Sequence, residues 1–238
     1  MAAPTITSVT TTARTSTTEN PIPVSMPATV ASGDLLGMLL ETHSRNGQTT
    51  PTGWTQVFQV AHNTSNRLGF FVKSADGTEG GTTVNVTTSA TGGASAACVF
   101  RVLTAEWSGT LGDIEATTGV ANTSTPNPSS HTHSAGSDDY LVIAAVGAID
   151  DDETASAYPT DFSDNQTTIA SGAGTNNGAS VSMASRSFTG ATLDPDAFTL
   201  TGSESIVAAT IFISPAAVGG AVTGHGMLLS DVRNRLVI

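Results

Sequence analysis

Lysine is nearly missing from this chain. Lys73 is the only one among eight Lys and Arg residues, against twenty Asp and Glu, and the net charge is −12. Nucleic-acid backbones are gripped by clustered cations that release counterions, and no such cluster occurs here. A nucleic-acid partner is therefore not expected. An anionic membrane surface would repel the chain. A basic protein surface or metal cations suit this charge, which also favours solubility.

Cysteine is almost as scarce. Cys98 stands alone, so no intramolecular disulfide forms and stability must come from packing and hydrogen bonds. It lies in Ala96-Ala97-Cys98-Val99-Phe100, an apolar, strand-like run. That setting reads as a small buried hydrophobe; a nucleophile would want a nearby base and an exposed, electropositive site. Aromatics are only 5% of the chain, and charged residues, at 12%, are about half the usual share. No run approaches the ~18 apolar residues of a membrane span. The start, Met1 to Thr5, has neither the basic nor the apolar region of a signal peptide. A G-x-S-x-G elbow, a P-loop and an H-E-x-x-H helix are all missing. These absences favour a protein that is not an enzyme, holds no cofactor and is made in a cytoplasm without an export signal.

Thr, Ser, Ala, Gly and Asn fill the space instead. Short hydroxyl side chains cost little entropy when fixed and suit pleated, half-buried surfaces. A surface tiled with them is suited to lying against a partner.

The chain is also written twice. Asn20-Pro21-Ile22-Pro23, Gly33-Asp34-Leu35-Leu36 and Pro51-Thr52-Gly53-Trp54 find counterparts in Thr125-Pro126-Asn127-Pro128, Asp138-Asp139-Tyr140-Leu141 and Pro159-Thr160-Asp161-Phe162. Phe70 to Lys73 aligns with Met183 to Arg186, Thr83 to Thr87 with Ala197 to Thr201, and Cys98 to Val102 with Thr210 to Ser214. The duplicated landmarks are strands and turns rather than chemical groups.

Residues 34–42 and 140–146 are continuous apolar runs, as expected of fully buried strands, and Gly37 argues against a helix. From Thr55 to Val60 the pattern alternates at period two, with one face buried. Turn signals every ~8–14 residues and roughly five strands per copy indicate an all-β fold. The expected architecture is a jelly-roll-like β-sandwich of about ten strands built from two similar halves. Neither half has enough large apolar residues to close a core alone, so each sheet is expected to cover the other; two separate tandem domains are the alternative, disfavoured because Ser108 to Thr117 is not a clear Pro/Ser linker.

The expected organisation is an N-terminal extended arm or edge strand over 1–19 and a duplicated sandwich over 20–214, with copies near 20–108 and 125–214. A tail over 215–238 follows. Residues 215–226 read as an Ala/Gly/Val-rich flexible spacer. The segment 227–238 is apolar with two arginines and has no counterpart elsewhere. Leu228, Val232 and Leu236 share a helical stripe, and Asp231 precedes Arg235 by four. Met227, Leu228, Leu229, Val232, Arg233, Arg235 and Leu236 are the candidate partner-binding residues of a docking arm; the alternative is a tail packed on its own domain.

Other features have plainer readings. Asp150-Asp151-Asp152-Glu153 could offer oxygens to Ca²⁺, but consecutive carboxylates rarely converge on one ion, so a solvated loop tip is favoured. His131-x-His133 places two imidazoles on one strand face with no third ligand evident. Trp54 and its counterpart Phe162 read as core plugs, whereas Trp107 would serve as a sugar platform only if exposed.

Gly33-Asp34-Leu35-Leu36, Pro51-Thr52-Gly53-Trp54, the Phe-Val-Lys strand and the Thr-rich Val-x-Val strand together resemble tailed-bacteriophage virion structural proteins. The resemblance covers residues 20–214. It departs at Asp161-Phe162, which stands where the pattern has Gly-Trp, and it leaves out 227–238. It implies a non-enzymatic virion protein, a capsid decoration or cement subunit that binds the major capsid protein or other virion proteins through its termini. Self-assembly, for instance as a trimer, is compatible with that expectation. Two alternatives make different demands. A tail-associated or fibre receptor-binding protein would expose aromatics to host glycans, and a polysaccharide hydrolase or lyase would need an acidic cleft.

Overall fold

A computed structural model describes residues 2–15, 19–43, 47–63, 66–89, 93–149, 154–172 and 178–217. The first half contributes β1 (Ile6–Arg14), β2 (Ile22–Ser25), β3 (Leu35–His43), β4 (Thr55–His62), β5 (Asn66–Ser74), β6 (Thr83–Val86) and β7 (Ser95–Val102). After a 3-10 turn at Leu111–Asp113 come β8 (Ile114–Thr123), β9 (His131–Thr132), β10 (Asp138–Ile149), β11 (Ala155–Ala157) and β12 (Asp164–Ala170). The chain then adds β13 (Ala179–Gly190), β14 (Thr192–Leu193), β15 (Thr199–Leu200) and β16 (Glu204–Ile213). The described residues contain no α-helix.

Two five-stranded antiparallel sheets form the sandwich, ordered β1-β7-β3-β5-β4 and β8-β16-β10-β13-β12. Read by position in the chain, the two orders are the same. β2 and β6 leave the first sheet and pair across its outer face. The corresponding outer layer of the second half consists of two short pairs, β9 with β14 and β11 with β15. The sheets stack so that β1 lies against β12 and β8 against β4, while β3 lies against β10. Exchanging the halves leaves this pattern unchanged.

The apolar runs follow from this layering. One core lies between the sheets and includes Leu35, Leu39, Phe70, Phe100, Leu141, Ile143, Met183 and Ile211. A second packs Leu36, Met38, Phe71 and Trp54 beneath β2 and β6. A third packs Tyr140, Val142, Phe162, Phe198 and Phe212 on the far side. Inner strands are therefore buried on both faces and lose their alternation, whereas the edge strands β1, β4, β8 and β12 are mostly half-buried, and β4 does not show the alternating burial expected over Thr55 to Val60. Each half thus has an outer core of its own besides the shared one, which the low count of large side chains did not suggest. Small residues make room: a Cβ at Gly37 would collide with the Phe100 ring.

Strand registers move two of the sequence correspondences by one residue. Leu35 lies opposite Val102 and Ser74, and Leu141 lies opposite Ile213 and Ser187. Leu35 therefore corresponds to Leu141 rather than Tyr140, and Val102 to Ile213 rather than Ser214. A one-residue slip turns every side chain to the other face of the sheet: Leu35 and Leu141 both face the central core, whereas Tyr140 faces outward. Phe70 and Met183 keep their correspondence, both pointing inward. Ile6–Arg14 is an edge strand of the first sheet, and β8 fills the same place in the second.

Candidate functional site

The tail residues Met227, Leu228, Leu229, Val232, Arg233, Arg235 and Leu236 and the acidic run 150–153 lie outside the described residues. What the structure does show is the corner from which the tail departs. Pro215 bridges to Trp107, the Ala216 amide donates to the Glu106 carbonyl at 2.9 Å, and the Ser108 amide donates to the Ser214 carbonyl at 3.0 Å. The first residues of the expected spacer, Pro215 and Ala216, are thus held on the body. Glu106 also accepts from the amide and hydroxyl of Thr5, at 2.8 and 2.7 Å, so the N-terminal segment meets the same corner. Trp107 is 2% exposed and donates its indole N–H to the Gly33 carbonyl at 3.0 Å. It works as a bolt between the corner and the turn before β3, and it offers no face to a sugar. Trp54 and Phe162 are likewise buried, each closing the same kind of turn on the carbonyl of Pro51 or Pro159. The position before each has a positive φ, filled by Gly53 in one half and Asp161 in the other.

A polar knot adjoins this corner. His133 accepts the Ala135 amide on Nδ1 at 3.2 Å, so its proton sits on Nε2, which faces the Asp113 carbonyl at 3.2 Å and Ser214 Oγ at 3.3 Å. A neutral imidazole has one donor and one acceptor. With the acceptor already engaged, His133 cannot take a proton from Ser214, which itself donates to the Asp113 carbonyl. A serine nucleophile with a histidine base is therefore not assembled here. His131 Nδ1 meets Thr117 Oγ1 at 2.7 Å, and its Nε2 lies 3.3 Å from Glu115 without making a hydrogen bond. Burial pushes the His131 imidazole below its ordinary range against the opposing pull of Glu115. Burial works to raise Glu115, but the Ser134 hydroxyl and amide outweigh it and hold the carboxyl low. The knot ties β8, β9, the turn before β10 and the end of β16 into one rigid corner. An open cavity of about 350 Å³ beside it is lined by Thr110, Asp113, Asp138, Tyr140 and Ser214.

The chemistry available elsewhere is sparse. Among the described residues no group of three or more His, Cys, Asp or Glu side chains could hold a metal ion. A cleft of about 430 Å³ between the start of β1 and β12 has Asp164 as the only acid in its lining. Glycoside hydrolysis generally needs two carboxyl groups flanking the bond. Lys73 is paired with Glu79 at 2.5 Å, which keeps its ammonium charged. Cys98 is fully buried, and burial raises its thiol to about 12. Sequence reasoning missed the corner because Thr5, Glu106, Ser214 and Ala216 carry no motif. Only strand order brings residues from both ends of the sandwich to one place.

Comparison of the chain with protein-family models, curated proteins and solved structures returns no match.

Proposed function

We propose that this chain is a non-enzymatic structural protein of a tailed-phage particle, a decoration or cement subunit on the outer shell. The supporting observation is the corner where Thr5, Glu106, Trp107, Ser214 and Ala216 gather both ends of the sandwich. A body stiffened by three cores presents the continuation of its chain, residues 218–238, from one fixed point. In this reading the body is a spacer and the apolar residues from Met227 to Leu236 dock on the major capsid protein. Many copies on one shell then turn shallow contacts into firm attachment through high effective concentration.

Co-sedimentation tests the proposal. The purified full chain is mixed with phage shells that lack it, beside a chain without residues 227–238. Saturable binding at a fixed ratio to the shell subunit, lost on truncation, is the expected result. Undiminished binding of the truncated chain refutes the docking arm, and failure of the full chain to bind refutes the decoration role.

A further inference from the structure

We infer that β8 is a self-association edge through which two copies of this chain pair antiparallel, joining their second sheets into one. Unpaired strand edges template further strands, and proteins commonly blunt them with bulges, charges or covering segments. Three of the four sandwich edges are blunted here. β1 is bulged between Ile6 and Ser8, β4 between Gln56 and Phe58, and β12 between Asp164 and Thr167. β8 alone runs in unbroken register along β16, from Ile114 to Thr123.

The comparison with β1 is internal to the molecule. Ile6 lies opposite Val102 and Ile114 opposite Ile213, which places β1 and β8 in the same position of their sheets. Counting along the paired strands, Ala13 opposite Ala96 corresponds to Val120 opposite Val207. Side chains of both strands are held from the outer layer, Thr12 by the Ser25 amide at 3.0 Å and Thr117 by His131 at 2.7 Å, but β1 ends in the charged Arg14, which is paired with Glu19. β8 carries no charge from Ala116 to Thr123. Its Val120 is 48% exposed, the one large hydrophobic residue so exposed among those described.

These features select a second copy as the occupant. In a chain of net charge −12, copies can approach only where carboxylates do not oppose each other, and β8 is such a stretch. Antiparallel pairing about Val120 sets Thr118 against Asn122 and Glu115 against Thr125, so no acid faces another. Thr and Val suit cross-strand pairing. The two five-stranded sheets become one continuous sheet across the dimer. This inference does not depend on where the protein is used.

Sedimentation velocity of the full chain over a concentration series, combined with cysteine cross-linking, tests it. The wild-type chain should show a monomer–dimer equilibrium. Val120→Lys and, separately, Thr118→Pro should weaken dimerisation roughly tenfold or more, with unchanged thermal melts as the check on folding. Because Cys98 is buried, Val120→Cys should give a disulfide-linked dimer on mild oxidation, whereas Ala13→Cys on the corresponding edge should not. A trimer, an association indifferent to Val120→Lys, or a Val120→Cys chain that cross-links no better than Ala13→Cys would overturn the inference.

Discussion

The carboxyl of Glu41, in the first half of the chain, points at the backbone of Gly147 in the second, and a Cβ on Gly147 would collide with its Oε2. Glu41 is fully buried between the sheets. Its Oε1 accepts the Arg67 amide at 3.0 Å, while Oε2 makes no hydrogen bond. Beside it Asn66 spans the halves, donating to the carbonyls of Gly147 and Ser205 at 3.2 and 2.7 Å. Burial raises the Glu41 carboxyl well above its ordinary range, against the lowering effect of the Arg67 amide and charge.

Glu41 therefore makes the joint between the halves weaken as pH rises. The folded protein holds a proton that the unfolded chain releases above about 4.5. The native state binds more protons, so stability falls as pH rises from there through the folded value. The limiting slope is about 1.4 kcal/mol per pH unit. Glu41→Gln keeps the acceptor for Arg67 and removes the titration. Denaturant melts over a pH series should coincide with wild type in acid and be more stable toward alkaline pH. Equal slopes for the two proteins would dismiss the assignment.

Gly147→Ala tests the same joint sterically. The added methyl meets Glu41 and Leu68, both held in the central core. Overpacking of this kind typically costs about 1–3 kcal/mol. The double variant Glu41→Ala/Gly147→Ala should recover part of that loss, because the shorter side chain vacates the space. Additive losses in a double-mutant cycle would show that the two residues do not press on one another.

Much of the layering was legible in the sequence, and this joint was not. The runs at 34–42 and 140–146 announced strands buried on both faces, and Trp54 and Phe162 announced core plugs behind matching turns. Glu41 was hidden because its local pattern, the polar end of an apolar run, fits a strand emerging into solvent. Only the stacking of β3 on β10 buries it. The one-residue offset between Leu35 and Tyr140 arose similarly: aligned letters carry no record of which face a side chain takes, and strand pairing decides it. The small outer cores escaped notice because the residues that cover them come from strands as short as β6 and β15.

Asp34 should be among the most costly polar residues to remove. It is buried and accepts from the amides of Ala31 and Thr104, at 2.7 and 3.0 Å, and from Arg101 Nε at 2.6 Å. Asp34→Ala strands the Arg101 guanidinium and two amides at the turn that Trp107 bolts down. Losing one partner of a buried ion pair costs about 3–5 kcal/mol, and the low end applies because Arg101 is partly exposed. Replacing Arg101 and Asp34 together by Met and Ala should cost less than Asp34→Ala alone, as read by denaturant melts. A larger loss in the double variant would mean the pair contributes net stability beyond its mutual compensation.

Acid should loosen the corner from which the tail departs, the opposite trend to that of Glu41. Burial holds the His131 imidazole below its unfolded range, so the unfolded chain takes up a proton first as pH falls below about 6.5. Glu115 is held low against its burial by Ser134, so its contribution persists above the unfolded carboxylate value and fades as pH falls through the folded one. Both groups therefore withdraw stability on acidification, His131 first. His131→Gln keeps a polar partner for Thr117 and cannot titrate, so the upper part of the acid loss should flatten while the lower part, owed to Glu115 and other carboxylates, remains. Hydrogen exchange at Ala135 and Ala216 reads the corner directly: wild type should exchange faster below the imidazole range than above it, after correction for intrinsic rates, and His131→Gln should not. Identical acid profiles in the two proteins would place the titration elsewhere.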